Sequence, residues 1–179
     1  MEVRMILRKL RREDAPFMLE WMQDPEVNCN FRFSASDYGM EEVKAFIQDA
    51  NKDAHDQHAY HFAITEDGEE YLGTISLKNV DPLNQSAEYA IVLRKCAWGK
   101  GLGSQATEEI LKFAFDNLGL HRVALNVLSD NYVAIRLYEK CGFCYEGEWK
   151  ECLYFSGRLH SLKWYRILRQ EWQKTKESK

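Results

Sequence analysis

The sequence carries no basic excess: 24 Lys and Arg stand against 28 Asp and Glu, for a net charge of -4. Phosphate recognition depends on clustered Lys and Arg, so nucleic acid is not an expected partner. Nor is there an apolar run long enough to cross a bilayer. Met1–Leu10 alternates charged with apolar residues where a signal peptide would need an apolar core. The 5 cysteines are an odd number, scattered through the chain, which suggests free thiols in a reducing compartment. Internal repeats and low-complexity linkers are also missing. These absences lead to the expectation of a cytoplasmic globular protein with no membrane partner. What is present agrees: 179 residues, 45% of them hydrophobic, suffice for one well-cored domain and are short for two. The mildly acidic balance suits a cationic substrate such as an amine.

Periodicity divides the chain into alternating elements. Val3–Leu10 alternates as a strand, and Asp14 followed by Pro16 reads as a helix cap and first turn, with Asp24-Pro25 as the stop. A second helix is expected after Ser36, presenting Val43, Phe46, Ile47 and Ala50 on one face. Tyr60–Thr65 and Tyr71–Lys78 flank Asp67-Gly68 as a hairpin, and Ala87–Leu93 follows as a third strand. A helix is expected from Leu102 to Leu118, ended by Gly119, then a strand Val123–Leu128 and a helix Asn131–Cys141. Phe143–Lys150 and Leu159–Leu168 read as closing strands around Ser156-Gly157, and the stretch after Gln170 as a polar, fraying tail. The expectation is a single α/β domain over residues 1–170, a mixed and mostly antiparallel sheet flanked by helices, with residues 171–179 as the tail.

Between the third strand and the helix that follows lies Trp98-Gly99-Lys100-Gly101-Leu102-Gly103. Its glycines allow close backbone approach, and the helix start turns unpaired N–H groups and the positive dipole end toward the same space. Such a site suits a phosphate or pyrophosphate. A P-loop is excluded because Arg94 and Gly101 stand where Gly and Ser or Thr would be required. A dinucleotide fingerprint is excluded by Ser104 at the third glycine position. A Gly-rich turn joining strand to helix remains the plainer alternative for the loop alone.

The run Asn131-Tyr132-Val133-Ala134-Ile135-Arg136-Leu137-Tyr138-Glu139-Lys140-Cys141-Gly142-Phe143 follows one helix and one strand later. Together the two motifs, in this order and context, resemble the coenzyme-A loop and pantetheine-side helix of the GNAT N-acyltransferases. The resemblance covers about Tyr60 to Leu168. It implies the acyl-CoA N-acyltransferase fold, acetyl-CoA as cosubstrate without a metal, and transfer of the acetyl group to a primary amine by direct attack. It also implies coenzyme binding by Ile91, Val92, Leu93, Trp98, Gly99, Lys100, Gly101, Leu102, Gly103, Asn131, Ala134 and Tyr138. Tyr138 would protonate the thiolate leaving group, although the stripe alone would make it a core aromatic. Backbone N–H groups of Ile91–Leu93 would hold the oxyanion. Glu88 is the candidate base, with an ordinary surface or edge-strand carboxylate as the equal alternative.

Asn126 stands where ribosomal-protein alanine acetyltransferases carry a Glu; it cannot accept the proton but can orient substrate or water. Tyr145-Glu146-Gly147-Glu148 and the Ser156-Gly157 hairpin resemble the RimJ/RimL-like branch, whose acceptors include protein N-termini, polyamines and aminosugars. His160 replaces an acidic residue of that branch. A non-catalytic acyl-CoA sensor on the same fold is the second reading, and the chain would act as a monomer or homodimer. The pair Cys141 and Cys144 lies at a helix C-terminus, where a redox thiol is not expected. His55, His58 and His61 read as a solvated loop. Trp21 and Trp149 read as packing or acceptor-pocket aromatics.

Overall fold

Alternating apolar residues and well-placed turn formers produce seven strands and the helices between them. The computed structural model describes residues 5–29, 38–52 and 58–177. The strands are β1 (Met5–Lys9), β2 (Tyr60–Glu66), β3 (Tyr71–Asp81), β4 (Ser86–Leu93), β5 (Arg122–Leu128), β6 (Cys144–Phe155) and β7 (Arg158–Leu168). The helices are α1 (Ala15–Gln23), α2 (Pro25–Asn28), α3 (Met40–Ala50), α4 (Leu102–Lys112), α5 (Tyr132–Lys140) and α6 (Arg169–Glu177). One sheet runs in the order β1-β2-β3-β4-β5-β7-β6. Only β4 and β5 are parallel, joined by α4 as the crossover; every other neighbour is antiparallel. The mixed, mostly antiparallel sheet expected from the pattern is the one observed.

Strand alternation sends the two sets of side chains to two cores. Ile75, Leu77, Tyr89, Val123, Leu125 and Ile167 pack with Ile110 of α4, Tyr138 of α5 and Trp172 of α6. On the opposite face Ala63, Tyr71 and Val92 meet Met18 and Trp21 of α1 and Val43 and Ile47 of α3. Burial of these apolar surfaces, at about 25 cal/mol per Å², is the main stabilising contribution. Trp21 belongs to this packing: its Nε1 donates to the Tyr71 hydroxyl at 3.0 Å.

Several boundaries differ from expectation, each for a local reason. Asp14 does not cap α1 with its side chain; its carboxylate instead accepts from Arg8 at 2.7 Å and from the Arg11 N–H at 2.8 Å. Asp24 ends α1 and immediately caps α2, accepting from the Glu26 N–H at 2.9 Å. α4 stops at Lys112, and Phe113–Asn117 forms a wider turn in which the Leu118 N–H reaches the Phe113 carbonyl at 3.1 Å. There Phe113 meets Tyr60 and Phe62 edge-on, with ring centroids 5.2 and 5.3 Å apart.

β6 outruns its expected end and crosses an irregularity between Trp149 and Leu153, where Glu151 adopts φ +46°. The stretch read as a fraying tail is α6, because Trp172 buries its indole against Phe115 to 5% exposure. His61 is no solvated-loop residue either. It lies on β2, its Nδ1 2.7 Å from the Ser76 hydroxyl and its ring edge-on to Phe46. Val3, Ser36 and His55 lie outside the described residues. No helix among the described residues is long and apolar enough to cross a membrane.

Candidate active site

β4 and β5 pair only where Ser86, Ala87 and Glu88 meet Arg122, Val123 and Ala124. Beyond that point β4 follows β3 to Leu93, while β5 follows β7 to Leu128. The two parallel strands part, and their facing edges lose the ladder that would satisfy their peptide groups. A cleft of about 1150 Å³ opens between them, lined by Tyr89–Leu93 on one side and Asn126, Val127 and Leu128 on the other. Gly73 makes the near wall possible. A Cβ there would stand 2.2 Å from the Val92 carbonyl oxygen, so only glycine lets β3 approach the end of β4. This residue was not singled out from sequence, since a lone glycine in a strand pattern carries no mark of what it touches.

At the mouth of the cleft the Gly-rich loop delivers α4. Gly101 takes φ +77° as the residue before the helix, a conformation that a side chain would strain. The opening N–H groups of α4 face the same space, and Trp98, Gly99, Gly101, Leu102 and Gly103 all line it. Lys100, expected with them, is exposed and does not line the cleft. The Trp98 indole folds back, Nε1 donating to the Leu93 carbonyl at 3.1 Å. A side chain at Gly103 would press on Leu137 at 3.3 Å, so this glycine also sets how closely α4 meets α5.

α5 forms the third wall. Asn131 caps it, its Oδ1 accepting from the Ala134 N–H at 3.2 Å, and Asn131, Ala134 and Tyr138 all border the cleft. The Tyr138 ring is 7% exposed and lies edge-on to Tyr89, with centroids 5.7 Å apart. Tyr89 is fixed in turn: its hydroxyl lies 2.7 Å from the Thr107 hydroxyl, which donates to the Gly103 carbonyl at 2.6 Å. A chain of contacts therefore runs from the Gly-rich loop to the Tyr138 ring. Burial, with a smaller contribution from Cys141, pushes the Tyr138 phenol well above its ordinary value. It stays protonated at neutral pH.

The remaining expected residues point to the other face of the sheet. Glu88 sits on a central strand, not an edge, and pairs with Lys78 Nζ at 3.2 Å while accepting from Asn79 Nδ2 at 3.1 Å. Asn126, two residues beyond Glu88's partner Ala124, shares that face. Both line the cleft. His160 does not; it is buried in the β6–β7 hairpin, stacked on Phe155 with centroids 3.7 Å apart. Burial raises the pKa of the Cys141 thiol, which disfavours its thiolate. Arg94, noted from sequence only as excluding a P-loop, anchors the end of β4 through Glu20 at 2.8 Å and Glu70 at 2.9 Å, its guanidinium over the Phe17 ring.

A helix start with free N–H groups, an open peptide edge suited to an amide-bearing arm and a buried phenol in one cleft fit coenzyme A. The fold and site thus define a coenzyme A-dependent acyltransferase. Residues 4–144 match the model of the acetyltransferase (GNAT) domain, and the chain belongs to that family. A spermidine N(1)-acetyltransferase of Vibrio cholerae is 28% identical over 96% of this chain and 97% of that protein. The putative ribosomal N-acetyltransferase YdaF of Bacillus subtilis is 36% identical over 56% of this chain and 55% of its own length. The crystal structure of the Vibrio cholerae spermidine N-acetyltransferase with CoA and spermine superposes with a TM-score of 0.84 at 26% identity, over 94% of this chain and 98% of that one. The chain is accordingly an N-acetyltransferase that uses acetyl-CoA and transfers the acetyl group to an amine.

Proposed function

We propose that the enzyme acetylates a small primary amine, with acetyl-CoA entering from the α4–α5 face of the parted strands and the amine from the Glu88–Asn126 face. The observation that carries this reading is the parting itself. There the Tyr138 and Glu88 sides of the sheet open into a common cleft.

The roles follow from chemistry. An ammonium has no lone pair, so the amine must lose a proton first; Glu88 takes it, directly or through water. The neutral amine attacks the thioester carbonyl, whose oxygen is held by the free N–H edge of Ile91–Leu93. Collapse breaks the C–S bond, and Tyr138 donates the proton that lets coenzyme A leave as a thiol. The coenzyme is held by Ile91, Val92, Leu93, Trp98, Gly99, Gly101, Leu102, Gly103 and Ala134, with Asn131 acting through the helix that it caps. Asn126 contacts the acceptor.

Names of the relatives support a polyamine as one such acceptor, spermidine first among them. The RimJ/RimL-like branch remains the finer assignment, supported by the Tyr145–Glu148 segment and the Ser156-Gly157 hairpin. Activity as a monomer or homodimer, in the cytoplasm, completes the proposed reading. The test is release of free thiol from acetyl-CoA with spermidine and with simple primary amines, and a mass increase of one acetyl group on the amine. Tight coenzyme binding without thiol release from any amine would refute the reading.

A further inference from the structure

Tyr89 is buried to 3% exposure, in a place where phenylalanine would supply the same ring. A buried hydroxyl is costly unless it is bonded, so its partner is informative. That partner is the hydroxyl of Thr107 on α4, 2.7 Å away and itself fully buried. Thr107 has one hydroxyl proton, and it goes to the Gly103 carbonyl at 2.6 Å. Tyr89 is therefore the donor to Thr107, and the two bonds run in one direction from β4 to the last glycine of the Gly-rich loop. Hydrogen bonds in series polarise and strengthen one another in a low-dielectric core. A side chain of a central strand is thus fastened to the helix that opens on the cleft.

Tyr138 is held differently. Among the described residues no hydrogen bond holds its hydroxyl. Its aim is set by α5 and by the rings around its own: Tyr89 with centroids 5.7 Å apart and Phe143 at 6.0 Å. Tyr89 and Phe143 meet each other at 5.5 Å, so the three rings close a triangle. Phe143 belongs to the same turn of chain as Tyr138, its N–H donating to the Tyr138 carbonyl at 3.0 Å. Tyr89 is the corner fixed from outside that turn, and what fixes its rim is the bond to Thr107. Edge-on ring packing is directional, so a tilt of the Tyr89 ring is passed to Tyr138.

Resting on the acetyl-transfer reading above, with Tyr138 as proton donor, we propose that Tyr89 and Thr107 are positioning residues for the reaction. Their hydrogen-bonded relay holds the Tyr138 ring where its hydroxyl meets the thioester sulfur. Because the relay ends on Gly103, the donor is aimed from the same loop that seats the cosubstrate. No proton travels along the relay; Tyr138 alone gives one up, to the departing thiolate.

The experiment is a double-mutant cycle on the full chain, read as kcat for thiol release with the primary amine that turns over fastest. Tyr89→Phe keeps the ring and removes the bond; it should lower kcat about ten- to a hundred-fold, with the KM for acetyl-CoA within about three-fold. In the Tyr138→Phe background, followed over long incubations, the same change should cost less than about two-fold, because the group being positioned is gone. Thr107→Val leaves the Tyr89 hydroxyl buried without an acceptor and should repeat the loss, whereas Thr107→Ser should restore kcat to within about three-fold. Melting temperature and coenzyme A affinity, measured on every variant, separate loss of aim from loss of the fold. An unchanged kcat in Tyr89→Phe overturns the positioning role. So does an equal loss in both backgrounds, or a loss that Thr107→Ser shares with Thr107→Val; a crippled Tyr138→Phe enzyme then still upholds the proton donor. A fully active Tyr138→Phe enzyme overturns the donor itself, and the role of Tyr89 and Thr107 falls with it.

Discussion

The two sides of the parted strands are built by different rules. On the coenzyme side the wall is backbone: glycines at 99, 101 and 103, the start of α4, and the free edge of β4. On the proposed acceptor side it is side chains, Glu88 and Asn126, brought together from two strands. A backbone-built site tolerates few substitutions, because positive φ and close approach admit only glycine, and it is shared by proteins that use the same cosubstrate. A side-chain-built site is free to change with the acceptor. The relatives reflect this, one being named for spermidine and another for the ribosome.

The sharpest way to break the comparison is to remove the group proposed to react from the coenzyme side. Tyr138→Phe is expected to lower kcat by about 10²- to 10⁴-fold with coenzyme A affinity within about two-fold, as read by steady-state kinetics and calorimetry. Because burial holds the phenol above its ordinary value, the wild-type kcat should show no downward limb from Tyr138 as the pH rises to about 10. Full activity in the variant would remove Tyr138 from the reaction.

The coenzyme side also rests on a core that the acceptor side does not share. Trp172→Ala should cost about 3–5 kcal/mol by chemical denaturation, through loss of its contact with Phe115 behind α4. A cost below 1 kcal/mol would mean that α6 is peripheral.

On the proposed acceptor side, Glu88→Gln should reduce kcat/KM for the amine roughly a hundred-fold with coenzyme A affinity unchanged. Unaltered kinetics would leave Glu88 a structural partner of Lys78 and Asn79. The smallest effect concerns the floor of that face. Burial first, and the charge of Lys78 second, hold the His61 pKa below its ordinary value. As pH falls below about 6.5 the unfolded chain takes up a proton that the folded one refuses, so stability declines; above that value it is level. Melting temperatures between pH 5 and 8 should show this slope, and His61→Gln should flatten it.

Legibility followed the same division. Gly99, Gly101, Gly103 and the Asn131–Tyr138 helix were readable because each lies in one continuous stretch whose spacing a reader can match. Strand alternation was equally local, and it located all seven strands to within a few residues, β6 excepted. Gly73 and the anchoring role of Arg94 were silent, since their meaning lies in partners distant in the chain: the Val92 carbonyl, and Glu20 and Glu70. Tyr89 and Thr107 were passed over within ordinary strand and helix patterns, and only the fold sets their hydroxyls side by side. α6 was misread because polar composition concealed the single anchoring indole of Trp172.

The parting of β4 and β5 also bears on how long the molecule survives. An unpaired strand edge in the middle of a sheet is an unfinished ladder, and the amides of a pantetheine arm have the donors and acceptors to finish it. Cosubstrate binding then acts as a folding ligand, raising the unfolding free energy by RT ln(1 + [L]/Kd). Thermal lifetime thereby becomes a readout of acetyl-CoA supply: protein in a starved cell opens at the seam through which it works, and protein in a replete one is held shut by its own reagent.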